Sequence, residues 1–514
     1  MIQSFARSAF VLMSSVALAT GATQTTPENP RPLVQKMVDA MGGADRLVSI
    51  RAIQSKGISY NHHLEQSERP EGPWIVTYAQ ATETRDLDHS RVRHEESSRS
   101  FFFQKSDWTP PSTWIFDDGV VATVGPNQKL VPRDAFTAQQ AEEAIALGPE
   151  RVGLTALSAS DLHLEKDVAY RGHTHAVVAF TWNTIPVRIL ISRESGLPSA
   201  VESTRPHPES FFWGPWGDVT LRKSYALWTL EKNGVRLPRT VFTEWDGFAV
   251  SSQTVEEVVI NPAINDADFT LPADVKQAFA ARKRSVEDLP LGRPGTTPQE
   301  IAPGITQIRG SWDITIIKQS DGLVILEGPV SSGYSAKTIA EAEKTYPGLK
   351  VKAVVTTSDS WPHIGGMREF AARGVPIYAL DHNQAILERL MKSTRKSIPD
   401  ALAKAPKPAR YTFVSKRTTV GTGANRFELI PLRTVTGERQ MALWFPELKL
   451  LYCSDLFQRD QKGNFFLPQT VSETVSVVER EHLDPKSAFA MHLAVTPWTE
   501  IQDALKAYVS EGAK

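Results

Sequence analysis

The decapeptide TSDSWPHIGG, residues 357–366, decides how the C-terminal half of this chain is read. It follows KVKAVVTTS, an apolar run with the composition of a buried strand, and leads into GMREFAARG, a short helix. The turn between them is polar. Ser358, Asp359, Ser360 and His363 are the side chains able to meet a ligand, with Trp361 beside them and Gly365-Gly366 closing the loop. Serine hydroxyls are poor zinc ligands at neutral pH, so His363 and Asp359 are the residues of ordinary metal-binding type.

Outward from this loop, strands and helices alternate. DGLVILEG reads as a buried strand, SAKTIAEAEKTYP as a helix, VPIYAL as a strand and NQAILERLMKS as a helix. Strands return in RFELIPLR and QMALWFPELKLLYCSD. This pattern predicts a layered α/β arrangement from about residue 301 to 514. The N-terminal half differs. LVQKMVDAM carries Leu33, Met37 and Met41 at helical spacing, with Asn29 as a cap and Gly42-Gly43 as a stop. Short alternating segments such as THAVVAFTW, IPVRILISRESGLP and GVRLPRTVFTEW then predict a largely antiparallel sheet within residues 23–279. The basic, proline-rich ARKRSVEDLPLGRPGTTPQE places a linker at 280–300 and predicts that the halves have separate cores.

The whole chain has 514 residues, 41% hydrophobic and 22% charged, with a formal net charge of −1. That balance offers no electrostatic reason to expect nucleic acid or anionic lipid as a partner. Arg7 precedes the apolar run AFVLMSSVALA, and small residues follow to Ala22, so residues 1–22 read as a signal peptide. A periplasmic or secreted mature protein is expected, with no lipid-anchor cysteine at the exit and no transmembrane segment. The single Cys453 lies in KLLYCSDLF and reads as a packed thiol.

The order VILEG, the loop at 357–366, WFPELKLLYCSD and AMHLAVTPW resembles the metallo-β-lactamase superfamily over roughly the whole length of the C-terminal region. In that family the loop supplies two histidines and then an Asp-His pair before Gly-Gly. The matching positions here are Ser358, Ser360, Pro362 and His363. A further family histidine falls near Thr436, the metal-bridging aspartate on Asp455, and the last histidine on His492. The resemblance therefore implies an αββα sandwich whose first metal site is lost. It implies a second site reduced to His363, Asp455 and His492, with Asp455 and His363 carrying the catalysis. Two imidazoles and a carboxylate suffice for one catalytic divalent metal, zinc by the donor set; an inactive site would hold none. Ser358, Asp359, Ser360, Trp361 and Thr436 are expected to line the substrate pocket.

MVDAMGGADRL, KNGVRLP and DADFTLP make the N-terminal half similar to the curved antiparallel sheets of periplasmic lipoprotein carriers. That likeness implies a cleft for an apolar ligand. The loop FFWGPWG, residues 211–217, either lines such a cleft or is tucked into a core. His363 also has a packing reading, Asp455 a turn-capping one, and His492, taken to lie in an apolar strand, a core one. His173 and His175, two apart on a strand, form a second and weaker metal candidate. Two functions follow: an exported metal-dependent hydrolase with an α+β, two-domain build, or a catalytically inactive protein of that fold that binds an apolar small molecule.

Overall fold

The computed structural model describes residues 29–64, 75–100, 107–282, 285–460, 463–465 and 467–511. The expected signal peptide, 1–22, lies outside them. The first helix, Arg31–Ala40, buries Val34, Met37 and Val38. Asn29 Oδ1 accepts from Arg31 N–H at 3.1 Å, and Gly42 and Gly43, with φ of 123° and 95°, end the helix in a conformation glycine adopts at little cost. A 13-stranded antiparallel sheet follows, in which Ala52–His62 pairs with both Val76–Asp86 and Phe248–Ile260. On the strand Asp218–Leu230, Leu221, Lys223 and Tyr225 alternate onto one face, as period-two geometry requires. With helix Ala135–Ala146 they line a cavity of about 510 Å³.

Beyond it stand two further sheets. A seven-stranded sheet runs from Gln299–Ala302 to Tyr411–Val414, and a six-stranded sheet from Thr418–Val420 to Leu493–Pro497. The strand Gly322–Leu326 shows how they stack. Val324 and Leu326 meet Leu443, Tyr452 and Phe489 of the other sheet, while Leu323 and Ile325 pack on Ile339, Met367 and Phe370 of helices Ser332–Thr345 and Met367–Arg373. A strand covered on both faces has no polar position, which is why its sequence is a continuous apolar run. Helices Pro468–Arg480 and Trp498–Glu511 cover the six-stranded sheet through Val471, Val478, Trp498 and Ile501. No helix among the described residues is long and apolar enough to cross a membrane.

The halves are not separate cores. Trp361 meets Trp213 at 4.8 Å, Trp216 at 4.9 Å and Phe248 at 5.2 Å between ring centroids, and one apolar cluster spans these residues and the C-terminal helices. The loop 211–217 is thus tucked in, and its Trp213 also lines the cavity of the sheet. Its aromatic side chains suit a cleft and a core equally, so composition alone could not choose. The stretch expected as a linker is also packed: Val286 is buried, and Lys337 Nζ donates to the carbonyls of Glu287 and Leu289 at 3.1 and 2.8 Å. Asp218 accepts from Lys396 N–H at 2.6 Å and Ser397 N–H at 3.1 Å, fastening the sheet to the far side of the C-terminal half.

Candidate metal centre

Three chain segments build the centre. His363 sits in a single helical turn, Trp361–Ile364, directly after the loop. Gly365 and Gly366 are required by close approach: a Cβ on Gly366 would lie 1.9 Å from Ser335 Oγ and 2.6 Å from Ser331 O, and one on Gly365 would lie 2.4 Å from Val330 O. Asp455 follows the strand Leu450–Tyr452 through Ser454, which has a φ of 47°. His492 does not lie within a strand. It occupies the turn between Ser487–Ala490 and Leu493–Pro497, where Ala490 pairs with Leu493, and the turn lets the imidazole leave the sheet.

The side chains converge. His363 Nε2 lies 2.7 Å from Asp455 Oδ2, and His492 Nε2 lies 3.2 Å from Asp455 Oδ1. One donor atom from each lies within 4.8 Å of the others, and this is the one such His/Cys/Asp/Glu group among the described residues. His363 is fully buried, whereas His492 and Asp455 are partly open, with side chains 27% and 20% exposed. Behind His363, Glu327 Oε2 stands 3.4 Å from Nδ1. Glu327 is itself buried at a φ of 72°, a costly backbone state for a residue with a side chain. Tyr452 OH donates to it at 3.1 Å and Thr357 Oγ1 donates to the same carboxylate oxygen. Burial alone would lower the His363 pKa, but the Asp455 and Glu327 carboxylates outweigh it and push it up to about 10. Burial would raise the Asp455 carboxyl, and the His363 charge instead holds it far below the usual carboxylate range.

The other residues expected to line the pocket have the following surroundings. Ser358 is buried and accepts from Ser360 N–H at 3.1 Å, so these hydroxyl residues organise the loop. Asp359 is also buried in it. The Trp361 ring lies in the aromatic cluster between the halves, because a two-ring side chain gains more from that burial than from facing a polar centre. Thr436 is held by Glu473, to which its N–H and Oγ1 donate at 2.9 and 2.7 Å. Of the other histidine pair, His175 is buried with its ring nitrogens on His173 O and Ser199 Oγ, while exposed His173 lies 3.3 Å from Glu194; neither joins a metal-sized group. Cys453 is fully buried, and burial pushes its thiol pKa up. Glu327, Thr357 and Tyr452 were not singled out from the sequence. A glutamate ending the apolar run LVIL was the available signal, since an unpaired buried carboxylate is costly.

These donors fit a divalent ion. Neither ring nitrogen of His363, nor Asp455 Oδ1, is aligned for a hydrogen bond although all three atoms are buried. Two donors on one tetrahedral zinc lie roughly 3.4 Å apart, given bonds of ~2.0–2.1 Å. The observed 2.7 and 3.2 Å need only small adjustments to reach that spacing. Glu327 stands where a carboxylate orients a ligating histidine through its other nitrogen.

No known family model matches the chain, and no curated protein does. Similar solved structures are metallo-β-lactamase-fold proteins. The metallo-β-lactamase from Pontibacter korlensis is 15% identical over 41% of this chain and 97% of its own, with a TM-score of 0.32. DIM-1 metallo-β-lactamase is 12% identical over 43% and 99%, with a TM-score of 0.33. The inverting sec-alkylsulfatase Pisa1 from Pseudomonas sp. is 14% identical over 43% of this chain and 42% of its own, with a TM-score of 0.32.

Proposed function

We propose that this chain is an exported hydrolase that works with a single divalent metal, zinc by its donor set, held by His363, Asp455 and His492. The observation that carries the reading is the meeting of these donors, within 4.8 Å of one another, from segments nearly 130 residues apart in sequence. When bound, the ion supplies a polarising charge and an acidified water. The chain's own part is positioning. Glu327, held by Thr357 and Tyr452, fixes the His363 ring with Nε2 toward Asp455. The exposure of His492 and Asp455 sets the side from which a substrate enters. Hydrolysis is the reaction class, and Asp455 and His363 are its central residues. Residues 301–514 form the catalytic unit on this reading, and 23–279 a unit that binds the substrate's apolar part.

A second reading rests on the same distances. His363, Asp455 and His492 already pair with one another, which a metal-free protein retaining the fold as a binding scaffold would also show. Metal analysis separates the two. The hydrolase should purify with about one metal per chain and melt higher when zinc is restored after chelation. Protein that purifies without metal and gains no thermal stability from zinc would establish the scaffold.

A further inference from the structure

We propose that the cavity between the 13-stranded sheet and helix Ala135–Ala146 is a binding site for an amphiphile with an anionic head, a carboxylate or phosphate monoester, and that Lys223 takes the head. Its volume of about 510 Å³ lies within the ~300–1,000 Å³ usual for small-molecule sites. The proposal is independent of the metal centre and uses none of its residues.

The lining changes character along the strand Asp218–Leu230. Leu221 points inward at one end, opposite Trp245 in register, and Phe136, Trp213 and Trp245 surround it. Lys223 follows two residues on and Tyr225 two beyond that, each step moving ~6.6 Å along the strand. The cavity is thus aromatic around Leu221 and carries charged side chains around Lys223. That is the lining of a site for a molecule with a tail and a head.

The charges identify the head. Each carboxylate near Lys223 already meets another cation. Glu150 lies 2.8 Å and Glu83 3.4 Å from Arg85, Glu83 also meets His94 at 3.4 Å, and Glu143 lies 3.2 Å from Arg205. Lys223 has none: among the described residues its ammonium makes no ion pair or hydrogen bond, and the acids act on it only through space. Burial pulls its pKa down, which is the signature of a cation that lacks a partner. A further donor in the lining is idle, the buried Tyr225 hydroxyl. Glu150 contributes the opposing feature, since its oxygens are also without aligned hydrogen bonds, although Oε1 touches Arg85. A ligand anion on Lys223 and Tyr225 would relieve the desolvated cation and the idle hydroxyl together.

The test uses the full chain and four probes of one tail length, all below their micellar concentrations: dodecanoate, dodecyl phosphate, dodecan-1-ol and dodecylammonium. Trp114, Trp213 and Trp245 line the cavity, so tryptophan emission reports occupancy and calorimetry gives affinity. At least one anionic probe should bind the wild type tenfold or more tightly than the alcohol does, and dodecylammonium least tightly. Lys223→Met should cost the anions at least tenfold and change the alcohol less than twofold, while Lys223→Arg retains anion binding. Tyr225→Phe, which keeps the ring, should cost the anions a smaller factor and guards against a misfolded Lys223 variant. A tenfold preference between the two anions assigns the head group to phosphate or carboxylate. Equal binding of alcohol and anions, preference for the ammonium probe, or unchanged anion affinity in both Lys223→Met and Tyr225→Phe would overturn the proposal.

Discussion

Two histidines, one in each half, meet nearly the same surroundings. His363 lies 2.7 Å from Asp455 and 3.4 Å from Glu327; His94 lies 3.4 Å from Glu83 and 3.5 Å from Glu96. For each, burial alone would lower the pKa, and the flanking carboxylates raise it instead, to about 10 at His363 and about 9 at His94. Only one of them belongs to a metal-sized group. At His363 a second imidazole, His492, reaches the shared carboxylate, whereas at His94 the ring stacks on Trp114 at 5.0 Å. A histidine between two acids is thus a proton trap. It becomes a candidate metal centre where a further donor arrives from another segment.

The largest expected effect tests whether the two regions stand alone. Residues 301–514 expressed without the sheet would expose Trp361, which now packs on Trp213, Trp216 and Phe248. An aromatic side chain buries ~150–250 Å², worth roughly 4–6 kcal/mol at ~25 cal/mol per Å². The fragment should show no cooperative melt by circular dichroism. A sharp transition close to that of the full chain would return the separate cores expected from the sequence. Next comes the contrast between the histidines. His492→Ala should weaken zinc binding at least 100-fold by competition titration, because two ligands do not hold a catalytic ion, and His94→Ala should leave it unchanged. Equal losses from both would remove the distinction between the sites.

How much of this was legible in the sequence depends on range. The period-two strands, the helix Arg31–Ala40 and the doubly covered run VILEG announce themselves locally, because side-chain periodicity is a local property. The convergence of His363, Asp455 and His492 is not local. It came from the order of segments in the resemblance to the metallo-β-lactamase superfamily, while the position of His492 in a turn and the role of Glu327 needed coordinates. The junction between the halves was hidden for a different reason. Trp213, Trp216 and Trp361 are apolar residues in loops, and a sequence does not say which surface will cover them. Lys223 was equally silent: a lysine in an alternating strand usually faces bulk water, and only the folded sheet shows that this one lines a cavity.

A smaller effect concerns the glycines that close the loop. Gly366→Ala puts a methyl 1.9 Å from Ser335 Oγ and 2.6 Å from a backbone carbonyl, so the helix carrying Ser335 must shift. Overpacking of this kind costs about 3 kcal/mol. Denaturant melts should show that loss together with weaker zinc binding, since His363 lies three residues away. Gly348→Ala has open space around its Cβ, and only its φ of 86° opposes the change, so it should cost less. Equal losses at both positions would mean that close approach is not what Gly366 provides.

The smallest effect sets His207 against His94 within the same half. His207 is buried against Phe136 and Trp245, donates from Nδ1 to Gln139 Oε1 at 3.1 Å, and has no partner for Nε2. Burial, with the nearby Arg205 charge, lowers its pKa from 6.5 to about 3. Below pH 6.5 the unfolded chain takes up a proton that the folded chain refuses, so stability falls as pH drops from 6.5 toward 3. His94 has the opposite sign: its contribution is complete below pH 6.5 and is lost as pH rises toward 9. Glu83, lowered to about 2, loses its contribution as pH falls from about 4.5 toward 2, below the interval of pH 5–7. Over that interval one proton accounts for about 2 kcal/mol. Urea melts should therefore show wild type losing about 2 kcal/mol more than His207→Gln between pH 7 and 5. His94→Gln should instead flatten the decline between pH 7 and 9. Parallel stability profiles for wild type and His207→Gln would mean that the imidazole reaches a proton in the folded state, and that the aromatic end of the cavity admits water.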